Sequence, residues 1–252
     1  IYSVNKNKVV NLGKSVSSGL QKDFFGLQYE YFGSNSSAFR QDSPNILALG
    51  YPVNVFYGYK TDGIVQTKQE GLDAGLRDMY AEPGEIKYVD LSGDGVFNQD
   101  DRTVIGDPNP DFTASLSLNA QWKNWDASVF LNGVFGNDVL YSGLTNSAKY
   151  TPLRWTPDNP GNRFPRARDN REYYVADWLI QDGSFIRVQN VNLGYTVNKF
   201  AFFKTLRAYV NVENLFNFTS FEGYDPEVEP NGRFGAAFPR LRKFTLGLEL
   251  TF

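Results

Sequence analysis

The residues best suited to chemistry lie in one stretch, Asp90-Leu91-Ser92-Gly93-Asp94-Gly95-Val96-Phe97-Asn98-Gln99-Asp100-Asp101. Its spacing is that of a calcium loop. Asp90, Ser92 and Asp94 offer side-chain oxygens at positions 1, 3 and 5, Gly95 permits the turn at 6, and Val96 offers its carbonyl at 7. Asn98 and Asp101 follow at 9 and 12. Calcium takes six to eight oxygen ligands from such a loop, so Ca2+ in a structural role is expected here. Aspartate in place of the usual glutamate at position 12, and a neutral serine at 3, move the expected affinity toward the weak range of extracellular modules. No helical pattern flanks the loop, so a helix–loop–helix hand is not expected. The competing reading is a solvated acidic turn, since D-G and S-G favour turns for backbone reasons alone.

Other chemistry is largely excluded. Cysteine and histidine are both absent, which removes thiol nucleophiles, disulfides and the commonest general base. No nucleophile elbow or phosphate loop is present, and no catalytic residue is assigned. Asp225, Glu227 and Glu229 could be read as a glycosidase acid pair, but Pro226, Pro230 and Gly232 favour an ordered acidic loop. Tyr150, Arg154, Trp155 and Trp178 are candidates for ligand binding, because aromatics in a long connection can stack on sugar rings; packing of the loop is the plainer alternative. Asn35-Ser36-Ser37 fits an N-glycosylation pattern, which has meaning only for a chain that meets a glycosylation machinery. With 25 basic and 28 acidic residues and a net charge of -3, scattered along the chain, nucleic acid is not an expected partner.

The elements that must position these residues are strands. The 252 residues are 41% hydrophobic and 16% aromatic, with a mean hydropathy of -0.41. No run approaches the roughly 18 apolar residues of a membrane helix, whereas a transmembrane barrel hides its apolar face in alternate residues. Phe244, Leu246, Leu248, Leu250 and Phe252 alternate strictly with polar or small residues. A hairpin is expected over 111–135, apolar at Phe112, Ala114, Leu116, Leu118, Ala120 and Trp122, and then at Trp125, Ala127, Val129 and Leu131. Trp122 and Trp125 flank its turn, where, with Phe252, an aromatic girdle would meet the headgroups. Segments 191–197 and 206–213 alternate likewise. Ile186 and Val188 lie in the opposite phase, which predicts a β-bulge near Gln189-Asn190 or a strand leaving the membrane there.

Short connections at 123–124 and about 198–205 alternate with long ones at 136–184 and 217–239. Short periplasmic turns and long external loops would send the last strand down to the periplasm. The alternative architecture is a secreted, calcium-stabilised β-sandwich that binds glycans, but its connections would be unusually long. Ile1 opens in mid-pattern, Met79 is internal and no signal peptide is visible, so a piece of a longer protein is expected.

Several blocks carry a family resemblance. They are F-Y-G-Y-K-T-D-G at 56–63, P-G-E-I-K-Y-V-D-L-S-G-D-G-V-F-N-Q-D-D-R-T-V-I-G at 83–106, R-W-T-P-D-N-P at 154–160, D-G-S-F-I-R-V-Q-N-V-N-L-G-Y at 182–195, N-L-F at 214–216 and G-Y-D-P-E-V at 223–228. In this order they resemble the C-terminal part of the SusC/RagA family of TonB-linked outer-membrane proteins. The resemblance implies an all-β fold: the C-terminal strands of a large antiparallel transmembrane β-barrel, 22-stranded and plugged, in the bacterial outer membrane. It further implies import of glycans or oligopeptides, a SusD-like surface lipoprotein as lid, and coupling to TonB through parts not contained here. On this reading 1–5 ends a barrel strand and 6–110 is a long extracellular region, with 46–59 an extracellular β-segment, as Pro52 suggests. Residues 111–252 then supply barrel strands with external loops 136–184 and 217–239.

Overall fold

The computed structural model describes residues 1–33, 43–167, 173–200, 202–234 and 240–252, with only the backbone at Asn146 and Phe200. The Asn35 pattern lies outside the described residues.

Strict alternation becomes one long antiparallel sheet. Its strands are β1 (Tyr2–Ser3), β2 (Phe112–Trp122), β3 (Trp125–Phe135), β4 (Phe185–Phe200), β5 (Phe203–Thr219) and β6 (Lys243–Thr251), each paired with the next in chain order. β2 and β3 pair from Trp122↔Trp125 to Phe112↔Phe135. The two-residue turn between them takes Lys123 to φ 53°, the left-handed backbone that tight hairpins require. β4 and β5 are longer than their alternation indicates, because pairing continues to Phe200↔Phe203 and shortens the turn expected at 198–205.

The change of phase in β4 is a bulge. Register shifts between Val188 and Asn190 against both neighbours, with Asn214 of β5 at φ 53° beside it. The slip returns Val188 opposite Leu131 and Phe216, and Ile186 opposite Gly133 and Phe218. The apolar face therefore continues across the fault instead of inverting.

The connections form a second body, the cap. Gln21–Lys22, Gln28–Phe32, Asn45–Ala48, Val55–Gly58 and Thr103–Gly106 make a five-stranded sheet. The segment 46–59 is thus two strands around a turn at Gly50 and Pro52, not one. Two-stranded pairs join Thr61–Ile64 to Ile86–Tyr88 and Asp138–Leu140 to Ile180–Asp182. The main hydrophobic core draws on three connections at once: Phe56 and Tyr59 from the first, Val139 and Leu179 from the second, Phe221 from the third.

Candidate functional site

The 90–101 turn is anchored in this core by Phe97. That ring stacks on Tyr88 at 4.6 Å and packs against Tyr59 at 4.7 Å and Tyr174 at 5.7 Å. Around the anchor the polar side chains close the turn on itself. Asp90 accepts from the N–H groups of Gly93 (2.6 Å) and Gly95 (2.7 Å) and from the Ser92 hydroxyl. Partial burial opposes ionisation of Asp90, but those donors prevail and hold its pKa below the ordinary carboxylate value. Asp94 accepts from Val96 N–H, and its second oxygen from the Asn98 carboxamide. Asp101 is fully buried; Oδ1 accepts from Leu91 and Ser92 N–H, and Oδ2 from Asn98 N–H. It thereby completes a capping box with Asn98 on the short 3-10 turn Gln99–Asp101.

The six residues spaced as metal ligands share one turn, yet their oxygens point at N–H groups more than at a common centre. Among the described residues no three acidic side chains gather as a metal cluster. The fit to an ion is partial: backbone donors already fill both acceptor sites of Asp101 Oδ1 and one on Oδ2, so a donor must leave before both oxygens can coordinate.

The candidate ligand residues lie inside the cap. Tyr150 is buried and stacked on Phe164 at 5.0 Å, and burial raises its hydroxyl pKa. Arg154 is buried and donates to the carbonyls of Thr145 and Pro165. Trp155 donates from Nε1 to Gln66 Oε1 at 2.9 Å, and Trp178 meets Tyr173 edge to face at 5.4 Å. These contacts of Tyr150, Arg154 and Trp178 lie within the 136–184 connection, while Trp155 joins segments distant in sequence. The quoted blocks act in the same way. In 56–63, for example, Thr61 donates twice to Asp177, at 3.0 and 2.6 Å, and just past the block Ile64 N–H donates to Asn162, near R-W-T-P-D-N-P.

Asp225 and Glu227 are occupied by arginines. Arg187, on the polar face of β4 and only 3% exposed, donates to both at 2.6 Å, and Arg240 reaches Glu227 at 2.6 Å. Glu229 instead accepts from Asn231. Two carboxylates each held by guanidinium groups are a clamp between strand and loop, not an acid pair free to move protons. Sequence reading had no signal for Arg187 as the clamp, because its partners are about forty residues away.

The long sheet presents two unlike faces. On the polar one, Arg207 of β5 reaches across β4 to Asp126 of β3, at 3.0 and 2.6 Å, and to Asn192. Gly194 lies beneath this bridge, where a Cβ would stand 2.5 Å from Asp126 Oδ1 and 2.7 Å from Arg207 Nε. On the apolar face, Leu118, Leu193, Leu246 and Leu248 are exposed, Leu246 by 81%, and among the described residues no second sheet covers them.

The girdle candidates sit at the short-turn end of this face. Trp125 lies 4.7 Å from Tyr195, and Phe252 packs edge to face on Phe203 at 4.9 Å; Trp122 is exposed with Lys123 over its ring. A second aromatic group, missed in the sequence, closes the opposite end. Phe112 stacks on Phe135 at 4.6 Å with Tyr2 5.3 Å away, and Phe216 neighbours Phe218. Aromatics at both tips of one hairpin were the available signal.

No protein-family model matches the chain. Over 100% of its length it is similar to two receptors of Formosa agariphila, TonB-dependent receptor P3 (30% identical over 273 residues) and TonB-dependent receptor P26 (32% over 278). It is 29% identical over 214 residues to the TonB-dependent receptor SusC of Bacteroides thetaiotaomicron, an alignment covering 81% of this chain and 20% of that receptor. Among solved structures, the RagAB peptide transporter superposes with a TM-score of 0.65 at 22% identity, over 90% of this chain and 26% of that one. The chain spans 26% of the length of each of the two Formosa receptors.

Proposed function

This chain belongs to the SusC/RagA family of TonB-dependent receptors, and we propose that its long sheet is an arc of the barrel wall of an outer-membrane nutrient importer. The observation that carries this reading is an exposed apolar face bounded at both ends by aromatic bands. From Phe112 to Trp122 the strand advances about 33 Å. At a tilt of about 40° that is about 25 Å along the membrane normal, the height of the apolar band on outer-membrane barrels.

Short turns at 123–124 and 200–203 then face the periplasm, the cap lies outside, and β6 descends. The remaining strands of a 22-stranded barrel, its plug and the TonB-contacting segment belong to the rest of the receptor, and a SusD-like lipoprotein closes over the cap. Between glycan and oligopeptide cargo, the likeness to a peptide transporter favours peptide. The sandwich alternative has against it the open apolar face. Detergent extraction of the full-length receptor tests the proposal: the barrel should resist extraction without detergent and show heat-modifiable gel mobility. Recovery as a soluble monomer from the periplasm overturns it.

For the 90–101 turn, ligand spacing supports a weak structural calcium site at Asp90, Ser92, Asp94, the Val96 carbonyl, Asn98 and Asp101, against the hydrogen bonding of Asp101. Calcium should then raise the protease resistance of the cap, and Asp94→Ala should abolish that effect. Resistance that is indifferent to calcium in both proteins removes the site.

A further inference from the structure

Where the 90–101 turn meets the cap, a cavity of about 190 Å³ is lined by Arg102 and Arg77 and by the aromatic residues Tyr59, Phe97 and Tyr174. Arg102 is 8% exposed, and a guanidinium stays charged at any physiological pH. Burying a charge is costly unless it is paired. Here Nε donates to the Tyr59 hydroxyl at 3.0 Å and Nη1 to that of Tyr31 at 2.8 Å, both neutral phenols. Nη2 makes no hydrogen bond among the described residues.

Other buried arginines of the cap and its border are treated differently. Arg187 meets two carboxylates and Arg154 two backbone carbonyls. The carboxylate adjacent to Arg102 in sequence, Asp101, has both oxygens turned to backbone N–H groups of its own loop. Arg77, in the lining of the same cavity, is exposed and forms no ion pair among the described residues. Two arginines thus line one small chamber to which the described residues supply no anion.

We infer that this cavity binds the free C-terminal carboxylate of a peptide. Arginine forks match a planar carboxylate, and the aromatic sides give the last side chain an apolar surround. The carboxamide of Gln99 at the same cavity can meet the final peptide group. The volume is below the range of whole-ligand pockets, so it suits a chain end and not a chain in passage. The inference rests on the importer reading with peptide as cargo.

The test uses the full-length receptor in detergent, titrated calorimetrically with an N-acetylated tripeptide, with the same peptide as its C-terminal amide, and with an oligouronate. Amidation should weaken binding at least tenfold. Arg77→Ala, at an exposed position that leaves the core intact, should weaken the acid similarly and the amide little. Equal binding of acid and amide overturns the inference, as does an oligouronate that binds where the peptide acid does not. Heat-modifiable mobility is read on the same preparation. A heat-modifiable receptor indifferent to amidation loses the pocket and keeps the barrel, while a preparation without that mobility loses both.

Discussion

Leucine is treated in opposite ways in the two halves of this molecule. In the wall, Leu246 and Leu248 stand 81% and 72% exposed on a face that nothing among the described residues covers; in the cap, Leu179 is fully buried. The wall orders its backbone by long, regular pairing and leaves the burial of its apolar face to the surroundings. The cap has short strands and irregular turns, and burial against other loops must hold it. The two regions should therefore fail in different ways.

The largest expected difference comes from the cap anchor. Phe97→Ala removes a ring from a cluster of Tyr59, Tyr88 and Tyr174, a class of change costing about 3–5 kcal/mol. Limited proteolysis should then cut the cap rapidly while heat-modifiable mobility persists. Loss of both together would mean that wall and cap fold as one unit. Arg187→Ala tests the joint between them. It leaves Asp225 and Glu227 with only Arg240, and breaking a buried pair costs about 3–5 kcal/mol; partial solvent access of Glu227 and the remaining arginine put the expected loss near the lower end. Protease sensitivity should appear at the 220–234 loop first.

In the wall, Leu118→Arg places a charge near mid-strand on the apolar face. If that face meets lipid, the cost is about 2–4 kcal/mol, read as a lowered urea midpoint for folding into bilayers. An arginine tolerated there as on a wet surface would break the contrast between the two regions.

These contrasts also explain what was legible in sequence. β2, β3 and β6 were readable because each residue's face follows from its parity alone, and the fault at Gln189 was visible because parity changed there. The cap was not readable in that way. Its core joins Tyr59, Leu179 and Phe221 with no period connecting them, so the burial of Tyr150 and Arg154 had no signal in the sequence pattern. The turn at 90–101 was half legible. Spacing identified the oxygens, but the donors that would compete for them are backbone N–H groups, which no side-chain motif records.

That competition gives the smallest effect and the most local one. Asp90 has a folded pKa below its unfolded value because the Gly95 and Gly93 N–H groups and the Ser92 hydroxyl outweigh the opposing effect of burial. A depressed carboxylate stabilises the fold above the ordinary aspartate pKa of about 4, and that contribution is lost as pH falls through the lower folded value. Hydrogen exchange at the Gly93 and Gly95 amides, corrected for intrinsic rate, should therefore lose protection on acidification from pH 5 toward pH 2. Asp90→Asn should be less protected at pH 5 and flat across the range. The strands β2 and β3 should keep their protection throughout, since their backbone ladder does not depend on Asp90. An equal acid response in the wall, or an unchanged one in Asp90→Asn, would assign the transition to carboxylates elsewhere and not to this turn.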